Sequence, residues 1–339
     1  MEAFVLAAGA GKRLRPLTTD IPKPMIPILG KPALYYTLAN LKKNGIHSAC
    51  INLYHRPNVI KNFFKNNDTG IKLNFSYEKT LLGTAGAIKN KEYLFNDTFV
   101  VMSGDGLTDI NLKNAVEFHK KRKSLATIIL KKIGLRLEYG FTVIDKNQEV
   151  KSFIEKPLWS DIFKNSVNTG IYILEPEIFK FIPKNKFFDF STDLFPLLMK
   201  KKKKIYGYIM NEYWTDIGNP FEYKKGVFDI LDGKVNVNVG IKNKKNKYIS
   251  DNIKAGKNVK IYGPCFIGNN VVIEKNVIIK PYSVISDNVS ISSNVSLEKS
   301  IIWENSKINK NVKITNTIVG YNTIIPDNIT LFDSIIMEI

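Results

Sequence analysis

The sequence of 339 residues predicts an open, mainly parallel α/β sheet followed by a parallel β-helix. Short apolar strand patterns alternate with helical patterns up to about residue 233, which is the order typical of an α/β sheet with helices on both faces. Beyond that point the helical periodicity disappears, and aliphatic residues recur at every sixth position. We therefore expect an α/β domain at 1–233, a linker at 234–250 and a β-helix at 251–339.

The elements of the first domain follow from the spacing of its apolar residues. Short continuous runs predict buried strands, and the strict alternation from Ile71 to Tyr77 predicts a strand with one polar face. Apolar residues at helical spacing predict helices, the first of which ends at Gly45. The predicted strands are 3–7, 49–53, 71–77, 99–102 and 126–130, and the predicted helices are 34–41, 59–64 and 112–122.

The second domain is predicted from two superimposed six-residue registers. Aliphatic residues recur from Ile261 to Leu297, and small residues recur two positions earlier, from Val259 to Val295. The period slips by one residue near Ser300 and then resumes. Each six-residue unit forms one flat face and three faces form a coil, so the segment has room for roughly four to five coils of about 18 residues. We expect Asn and Gly to occupy the tight corners between faces.

Composition excludes several classes of protein. A hydrophobic content of 44% and a charged content of 24% exclude a mainly disordered chain. No apolar run reaches the ~18 residues of a membrane span, and the N-terminus lacks the basic region of a secretory signal, so we expect a cytoplasmic protein. The two cysteines and three histidines have neither disulfide-framework nor zinc-site spacing.

The net charge of +19 allows three kinds of partner: nucleic acid, a membrane surface or small anions. The lysines are scattered, and the one dense block, Lys200–Lys204, follows a predicted helix end, where cations oppose the helix dipole favourably. We therefore attribute the charge mainly to solvated surface and overall composition, and expect neither a nucleic-acid nor a membrane partner.

The first motif is a glycine-bearing loop that follows the first strand. Gly9 and Gly11 allow backbone N–H groups to approach an anion, and Arg13 adds a donor suited to phosphate. Leu14 stands where the dinucleotide-binding fingerprint has its third glycine, and the loop lacks the Gly-Lys-Thr ending of a P-loop. These departures argue against a hydride-transferring enzyme and against a P-loop NTPase.

Two further motifs present a cation and a carboxylate. Lys23 lies between Pro22 and Pro24, which stiffen the segment that carries it. Asp105 lies between two glycines directly after a buried strand, where an open α/β sheet places ligand groups and where a single carboxylate suits Mg²⁺. An incidental surface lysine and an ordinary Asp-Gly turn are the alternatives.

Four shorter motifs complete the set. Small residues at 83–87 permit close approach by a flat ligand, although Thr84 could simply begin a helix. The remaining three each join an apolar strand to polar residues at its end: Phe153–Pro157, Asn168–Tyr172 and Trp214–Gly218.

Taken in this order, the motifs resemble those of the NDP-sugar pyrophosphorylases, the nucleotidyltransferases that make nucleotide sugars. The Gly-x-Gly-x-Arg-Leu-x-Pro-Leu-Thr signature directly upstream of Lys-Pro is specific, and the resemblance covers essentially the whole catalytic half. Within this family, the segments 103–112, 168–176 and 213–218 look most like bacterial mannose-1-phosphate guanylyltransferases. The resemblance implies a Rossmann-like, nucleotide-diphospho-sugar transferase sheet, followed by a left-handed parallel β-helix.

The resemblance also implies a role for each motif, carried over position by position. The nucleotide-binding residues would be Leu6, Ala7, Ala8, Gly9, Gly11, Arg13, Lys23, Gly83, Thr84, Ala85 and Asp105. The sugar-phosphate-binding residues would be Gly140, Glu155, Lys156, Asn168 and Thr169. The catalytic residues would be Arg13, Lys23, Asp105, Lys156 and Asp216, of which Asp105 and Asp216 would hold Mg²⁺. Lys12 and Thr169 depart from the usual threonine and alanine of the family, which weakens inference about specificity.

The reaction implied is the attack of a sugar 1-phosphate on the α-phosphorus of an NTP, which releases pyrophosphate. The sugar phosphate is already anionic, so the reaction needs positioning and charge neutralisation rather than a general base. This fits motifs rich in Lys, Arg and Asp. GTP with mannose 1-phosphate is the expected pair, and glucose 1-phosphate with thymidine, uridine or adenosine triphosphate is the alternative.

Three further expectations concern acyl transfer by the β-helix, a non-catalytic regulatory role and self-association. Acyl transfer by the β-helix is disfavoured, because acyltransferases of that fold usually employ a histidine and none follows His119. A nucleotide-sugar-sensing regulatory subunit is disfavoured, because such proteins typically lose the charged catalytic positions. Self-association through the β-helix is expected, since stacked coils favour it.

Overall fold

The computed structural model describes residues 1–132, 141–154 and 166–337, and its contacts divide the chain into two compact units. The first unit comprises Met1–Ala10, Pro22–Met25 and Leu34–Asp216. The second comprises Gly11–Ile21, Ile26–Ala33 and Ile217–Ile339. The domain boundaries predicted at 233 and 251 remain predictions.

Strands and helices alternate over the first 233 residues, as the apolar spacing predicts. The strands in chain order are β1 (Ala3–Leu6), β2 (Pro27–Ile28), β3 (Lys31–Pro32), β4 (Ser48–Leu53), β5 (Lys72–Tyr77), β6 (Phe99–Ser103), β7 (Gly106–Thr108), β8 (Ala126–Lys132), β9 (Phe141–Ile144), β10 (Val150–Ile154), β11 (Ser166–Leu174), β12 (Ile205–Met210) and β13 (Trp214–Asp216). The α-helices are α1 (Ala33–Lys43), α2 (Pro57–Asn66), α3 (Gly83–Lys89), α4 (Leu112–Arg122), α5 (Phe195–Lys200) and α6 (Pro220–Leu231).

Local sequence explains where the clearest helix begins and ends. The Asn111 side chain accepts hydrogen bonds from the N–H groups of Lys113 and Asn114 and so caps the start of α4. Lys123, in the left-handed conformation at φ 48°, ends the helix. The predicted helix at 112–122 is therefore confirmed to the residue.

The first unit is built on a nine-stranded sheet that is mainly parallel. Its strands pair in the order β10–β9–β11–β6–β1–β4–β5, and β8 joins β11 to β12. Strands β6, β1, β4 and β5 run parallel, as do β8 and β12, whereas β11 is antiparallel to both β6 and β8. Leu6 aligns with Asn52 on one side and Ser103 on the other, so the carboxyl ends of three strands meet at one edge.

Aromatic stacking organises the core of this unit. The rings of Phe95 and Phe99 lie 4.4 Å apart, and Phe99 stacks on Phe179 at 5.4 Å. Phe4 meets Phe95 edge to face. Burying each such ring contributes about 1.5–3 kcal/mol, so the strands that carry the site residues are firmly anchored.

The second unit contains three sheets of stacked short parallel strands, which fit a left-handed β-helix. The sheets hold six, five and five strands, which make five coils and one further strand, at the upper end of the four to five coils predicted from the repeat. The strands are β14 (Lys247–Ile249), β15 (Lys254–Ala255), β16 (Lys260–Ile261), β17 (Cys265–Ile267), β18 (Val272–Ile273), β19 (Ile278–Ile279), β20 (Ser283–Ile285), β21 (Ser290–Ile291), β22 (Ser296–Glu298), β23 (Ile301–Ile302), β24 (Lys307–Ile308), β25 (Lys313–Thr315), β26 (Ile318–Val319), β27 (Ile324–Ile325), β28 (Thr330–Phe332) and β29 (Ile335–Ile336).

The predicted slip in the repeat is visible in the strand register. Cys265 pairs with Ser283, 18 positions on, whereas Val284 pairs with Ile301, 17 positions on. The predicted aliphatic register points inward: residues from Ile267 to Leu297 in this register are buried and stack coil on coil. One face is therefore shortened by a residue without breaking the core.

Asparagine occupies most of the left-handed positions at the corners of the coils. Asn276, Asn294 and Asn311 have φ values of 60°, 62° and 58°, whereas the described glycines of the β-helix have no positive φ. The side chains form a ladder, in which Asn276 donates to Asn294 at 3.1 Å and Asn294 donates to Asn311 at 2.9 Å. Asparagine thus supplies both the left-handed residue and a hydrogen bond between coils. Glycine also lies in the corners, directly after a strand and two residues before a left-handed asparagine, at Gly256, Gly268 and Gly320. The prediction that Asn and Gly share the corners is confirmed.

A buried tyrosine joins the other parts of the second unit to its β-helix. The Tyr223 hydroxyl of α6 donates to the Pro27 carbonyl at 2.6 Å and accepts from Trp303 Nε1 at 2.9 Å. Burial raises the pKa of Tyr223 well above its ordinary value. In the part of the chain that the structure describes, no helix has the length and apolarity that crossing a membrane requires.

Candidate active site

The centre of the candidate site is an ammonium group shared by two carboxylates. Lys23 Nζ lies 2.6 Å from Asp105 Oδ2 and 2.9 Å from Asp216 Oδ1. The Lys23 side chain is only 9% exposed, and those of the two aspartates are 21% and 23% exposed. Three of the sequence-predicted catalytic residues are therefore brought together in the first unit.

Strand pairing explains why the two aspartates meet. Asp105 lies between β6 and β7, and Asp216 ends β13. Strands β7 and β13 form an antiparallel ribbon in which Asp216 pairs with Gly106, directly beside Asp105. The two motifs are 111 positions apart, and the resemblance assigns both aspartates to one cation; this ribbon is what makes them neighbours.

The lysine is held by the stiff segment predicted from its prolines. Lys23 opens a single helical turn, Lys23–Met25, in which the Met25 N–H donates to the Pro22 carbonyl at 2.8 Å. The turn buries all three of its residues. The ammonium group is thus presented from a segment with little freedom.

Electrostatics keep Lys23 and Asp105 charged. Burial alone lowers the pKa of Lys23, but the two carboxylates outweigh it and raise that pKa from 10.5 to about 12. Burial alone raises the pKa of Asp105, but the Lys23 ammonium and the Ser103 hydroxyl outweigh it and lower that pKa below its ordinary value. At neutral pH the cluster therefore has one more carboxylate than ammonium.

Two residues that sequence reasoning did not assign to the site orient its members. Ser103 Oγ donates a hydrogen bond to Asp105 Oδ1. Trp214 Nε1 donates to the backbone carbonyl of Thr169 at 3.1 Å and so connects the β13 strand to β11. The signal for Ser103 was its place two positions before Asp105, and the signal for Trp214 was its place at the start of the Trp214–Gly218 motif.

The predicted phosphate loop begins beside these groups. The Leu6 carbonyl accepts the N–H of Gly104 at 2.9 Å, which fixes the loop against the segment that carries Asp105. Ala7 and Ala8 are buried, whereas Gly9 is exposed. The loop thus leaves the sheet at Ala7, where its N–H bonds to Asn52 Oδ1 at 2.7 Å.

Two other residues of the predicted loop belong to the second unit. Gly11 has φ 60° and precedes a short helical turn, Lys12–Leu14, that carries Arg13. The Gly11 carbonyl accepts a hydrogen bond from Thr18 Oγ1 at 2.8 Å. Arg13 is exposed, and its assignment to phosphate remains a prediction.

The predicted nucleoside segment begins helix α3 and requires its glycine. Gly83 has φ +73°, and a Cβ there would lie 2.6 Å from the Phe188 carbonyl oxygen. The Ala85 N–H donates to that same carbonyl at 2.9 Å. The Thr84 hydroxyl donates to Asp189 Oδ2 at 2.7 Å and accepts from the Phe190 N–H at 2.9 Å. Thr84 therefore holds the 188–190 segment in place, and its direct contact with a nucleoside remains a prediction.

The predicted sugar residues lie where β11 departs from regular pairing. The register of β11 with β8 shifts between Asn168 and Tyr172, and the Gly170 N–H donates to Asn168 Oδ1 at 3.0 Å. Asn168 Nδ2 also lies within hydrogen-bond distance of Tyr172 Oη and Ser191 Oγ. Thr169 is buried and donates to the Ile129 carbonyl at 2.8 Å. Gly140, Glu155 and Lys156, the other predicted sugar-phosphate ligands, lie outside the described residues.

The donor set of the cluster fits a divalent cation that keeps most of its other ligands from water or substrate. Asp105 and Asp216 offer carboxylate oxygens that already converge on one cation, and their charge exceeds that of Lys23. The described residues contain no group of three or more His, Cys, Asp or Glu side chains that could enclose a metal. The pair therefore suits a divalent cation bound together with phosphate better than a fully protein-enclosed ion.

Comparison with known proteins gives the site a family context. Residues 2–232 match the family described as nucleotidyl transferase, and residues 261–338 match the GMPPB C-terminal domain. A UTP–glucose-1-phosphate uridylyltransferase of Synechocystis sp. is 37% identical over 81% of this chain and 75% of its own length. A mannose-1-phosphate guanylyltransferase of Mycobacterium tuberculosis is 32% identical over 69% of this chain and 65% of its own length. The crystal structure of HddC from Yersinia pseudotuberculosis complexed with GMP-PN has a TM-score of 0.60 at 31% identity, covering 68% of this chain and 99% of that one.

Proposed function

The chain belongs to the nucleotidyltransferase family, and from this premise we propose that it transfers a nucleotidyl group from an NTP to a sugar 1-phosphate. The products are an NDP-sugar and pyrophosphate. The observation that carries the proposal is the cluster of Lys23, Asp105 and Asp216 at the start of the glycine-bearing loop. It combines a fixed cation with a pair of carboxylates, the groups that phosphoryl transfer between two anions needs.

The chain's own residues supply positioning and charge. Lys23 is held at one place by its proline-flanked turn, and Ser103 fixes the orientation of Asp105. Asp105 and Asp216 are the residues that would hold a divalent cation, as enzymes of this family generally require, and we propose that it is Mg²⁺. When bound, such a cation neutralises phosphate oxygens. A general base is unnecessary because the attacking sugar phosphate is anionic at neutral pH.

We propose GTP and mannose 1-phosphate as the substrate pair. The match of residues 261–338 to the GMPPB C-terminal domain and the guanylyltransferase from M. tuberculosis support this pair. The similarity to HddC in complex with GMP-PN supports a guanine nucleotide. UTP with glucose 1-phosphate is the second candidate, because the Synechocystis uridylyltransferase has the higher identity, at 37%, and matches more of this chain.

A matrix assay tests the reaction and the pair together. Purified protein with Mg²⁺ is incubated with each common NTP and each of several sugar 1-phosphates, and pyrophosphate release is measured. Release with GTP and mannose 1-phosphate alone is the expected result, and release with another pair would keep the reaction and replace the substrates. Folded protein that binds a nucleotide but releases no pyrophosphate with any pair would contradict the proposal and favour a sensor.

A matched pair of variants shows whether activity belongs to the cluster. Asp105→Asn removes one carboxylate from the cluster with little change in shape, whereas Asp145→Asn makes the same change in a loop where Asp145 bonds to the Asn147 N–H at 2.8 Å. Only Asp105→Asn should abolish turnover. The predicted cytoplasmic location and the predicted self-association through the β-helix stand apart from this test, and sedimentation analysis of the purified protein addresses the latter.

A further inference from the structure

A series of three hydrogen bonds connects the two loops to which nucleotide binding is assigned. Asn52 Oδ1 accepts the N–H of Ala7 at 2.7 Å, and Asn52 Nδ2 donates to Glu78 Oε1 at 2.6 Å. Glu78 Oε2 in turn accepts the N–H of Leu82 at 3.0 Å, one residue before Gly83. Neither Asn52 nor Glu78 is among the predicted site residues.

The series crosses the sheet edge at which three parallel strands end. Asn52 is the penultimate residue of β4, in register with Leu6 of β1 and Ser76 of β5. Glu78 follows β5, and its backbone N–H donates to the Leu53 carbonyl at 2.9 Å. Both side chains therefore extend from the rigid sheet toward loops that have left it.

The chemistry of the two side chains suits this connection. A carboxamide carries an acceptor and a donor on one planar group, so Asn52 can accept from a backbone N–H and donate to a carboxylate at the same time. Asn52 is only 3% exposed, so water cannot readily replace either bond. Glu78 has two acceptor oxygens, and each faces one of the two donors.

We propose that Asn52 and Glu78 are positioning residues that hold the two nucleotide-binding loops at one separation before the nucleotide arrives. This inference rests on the proposed function, because it assumes that the loops at Ala7 and Gly83 contact the NTP. Loops that are already ordered do not lose freedom on binding, so the series favours NTP affinity. Among the described residues assigned to the sugar phosphate, Asn168 and Thr169 take part in none of its three bonds.

A purely structural role makes a different prediction. If the bonds merely satisfied buried polar groups at the end of the sheet, their loss would lower thermal stability and would not single out the nucleotide. The discriminating measurement is therefore the dissociation constant and KM for NTP, set against kcat and against the KM for sugar phosphate.

Two isosteric substitutions and their combination provide the test. Asn52→Asp replaces the Nδ2 donor by a carboxylate oxygen, which then faces the Glu78 carboxylate. Glu78→Gln replaces one acceptor oxygen by an NH₂ group, which then faces either Asn52 Nδ2 or the Leu82 N–H, both of them donors. The double variant Asn52→Asp/Glu78→Gln restores all three bonds, because the new amide at position 78 can donate to the new carboxylate at position 52. Asn67→Asp is the matched control: it also removes one amide hydrogen bond, from Asn67 Nδ2 to the Phe63 carbonyl at 2.9 Å.

We expect each single variant to raise the dissociation constant and KM for NTP about tenfold, the effect of about 1.4 kcal/mol. In the single variants, the KM for sugar phosphate and the kcat at saturating NTP should stay within about threefold of the wild-type values. In the control variant, the KM for NTP should also stay within about threefold of wild type, because distant substitutions have small effects. The double variant should recover most of the NTP affinity.

The outcomes separate this inference from the proposed function. NTP binding is measured without turnover, so wild-type protein that binds NTP but transfers nothing would contradict the proposed function and leave the positioning role testable. Unchanged NTP affinity in the single variants would overturn the inference. So would a double variant no better than the singles, or wild-type protein that binds no nucleotide at all.

Discussion

Replacing Lys23 by methionine should destabilise the protein at neutral pH, and a divalent cation should reverse part of that loss. Methionine keeps most of the apolar stem of lysine, so the substitution chiefly removes the ammonium group that Asp105 and Asp216 share at 2.6 and 2.9 Å. The two carboxylates then face each other with no cation between them.

The loss of stability in Lys23→Met can be calculated from the charges of the three side chains. A rise in the pKa of Lys23 from 10.5 to about 12 corresponds to about 2 kcal/mol of net stabilisation of the charged form. Repulsion between the two aspartates adds about 1–3 kcal/mol at an intermediate dielectric. Because both aspartates are about a fifth exposed, we take the lower part of this range, about 3 kcal/mol. For a unit of this size that loss lowers Tm by about 6–12 °C.

The effect has a defined pH window. The contribution of Asp105, whose pKa is lowered, is present above its ordinary pKa of 3.8 and is lost as the pH falls through the folded-state value. The contribution of Lys23, whose pKa is raised, is present below 10.5 and is lost as the pH rises through about 12. The Tm difference between wild type and variant should therefore be constant between about pH 5 and 10, and should narrow outside it.

Thermal unfolding followed by circular dichroism, with and without millimolar Mg²⁺, provides the measurement. Lys151→Met is the matched control, because Lys151 also contacts two carboxylates, Asp145 at 3.5 Å and Glu149 at 2.9 Å, but is half exposed. We expect little change in Tm for the control, and no response to Mg²⁺ beyond that of wild type. A wild-type Tm in Lys23→Met would refute the electrostatic argument, and a lowered Tm that Mg²⁺ leaves unchanged would refute the metal assignment to Asp105 and Asp216.

Three further predictions concern the site and the coils. Asp216→Asn should lower kcat by at least about 100-fold with a folded protein, as measured by pyrophosphate release, because a carboxylate of the proposed cation pair is lost. Gly83→Ala should raise the NTP KM and lower Tm by several degrees, since its φ of +73° and a Cβ at 2.6 Å from the Phe188 carbonyl oxygen cost about 1–3 kcal/mol; an unchanged KM would argue against nucleotide contact there. Asn276→Ala should destabilise the β-helix by about 1–2 kcal/mol in urea unfolding, because it loses two ladder bonds and the left-handed corner at φ 60°, with turnover unaffected.

Some residues of the site could be recognised from the sequence and others could not, for physical reasons. Lys23 and Asp105 were recognised because each lies in a short motif whose local chemistry is distinctive, whereas Asp216 was assigned by the family resemblance. Asn52 and Glu78 were missed because each occurs in an ordinary strand end, and their roles depend on bonds to Ala7 and Leu82. A single sequence carries no local mark of such bonds.

Two threonines were assigned to ligand binding, but their hydroxyl groups bond to other parts of the protein. Thr84 and Thr169 were assigned to ligands by resemblance, and the structure directs both hydroxyl groups to protein partners, Asp189 and the Ile129 carbonyl. A hydroxyl group is small and can serve either purpose, so its residue type alone does not distinguish ligand contact from internal packing.

The sequence by itself determined the class of each element, because side-chain periodicity is a local property. The alternation at 71–77, the helical spacing at 112–122 and the six-residue repeat from Val259 onward each predicted a structure that the chain adopts. Only the tertiary structure decided which groups share a site. The β7–β13 ribbon and the parallel register of β1, β4 and β6 bring distant segments together, and those pairings depend on strand order, which no local pattern encodes.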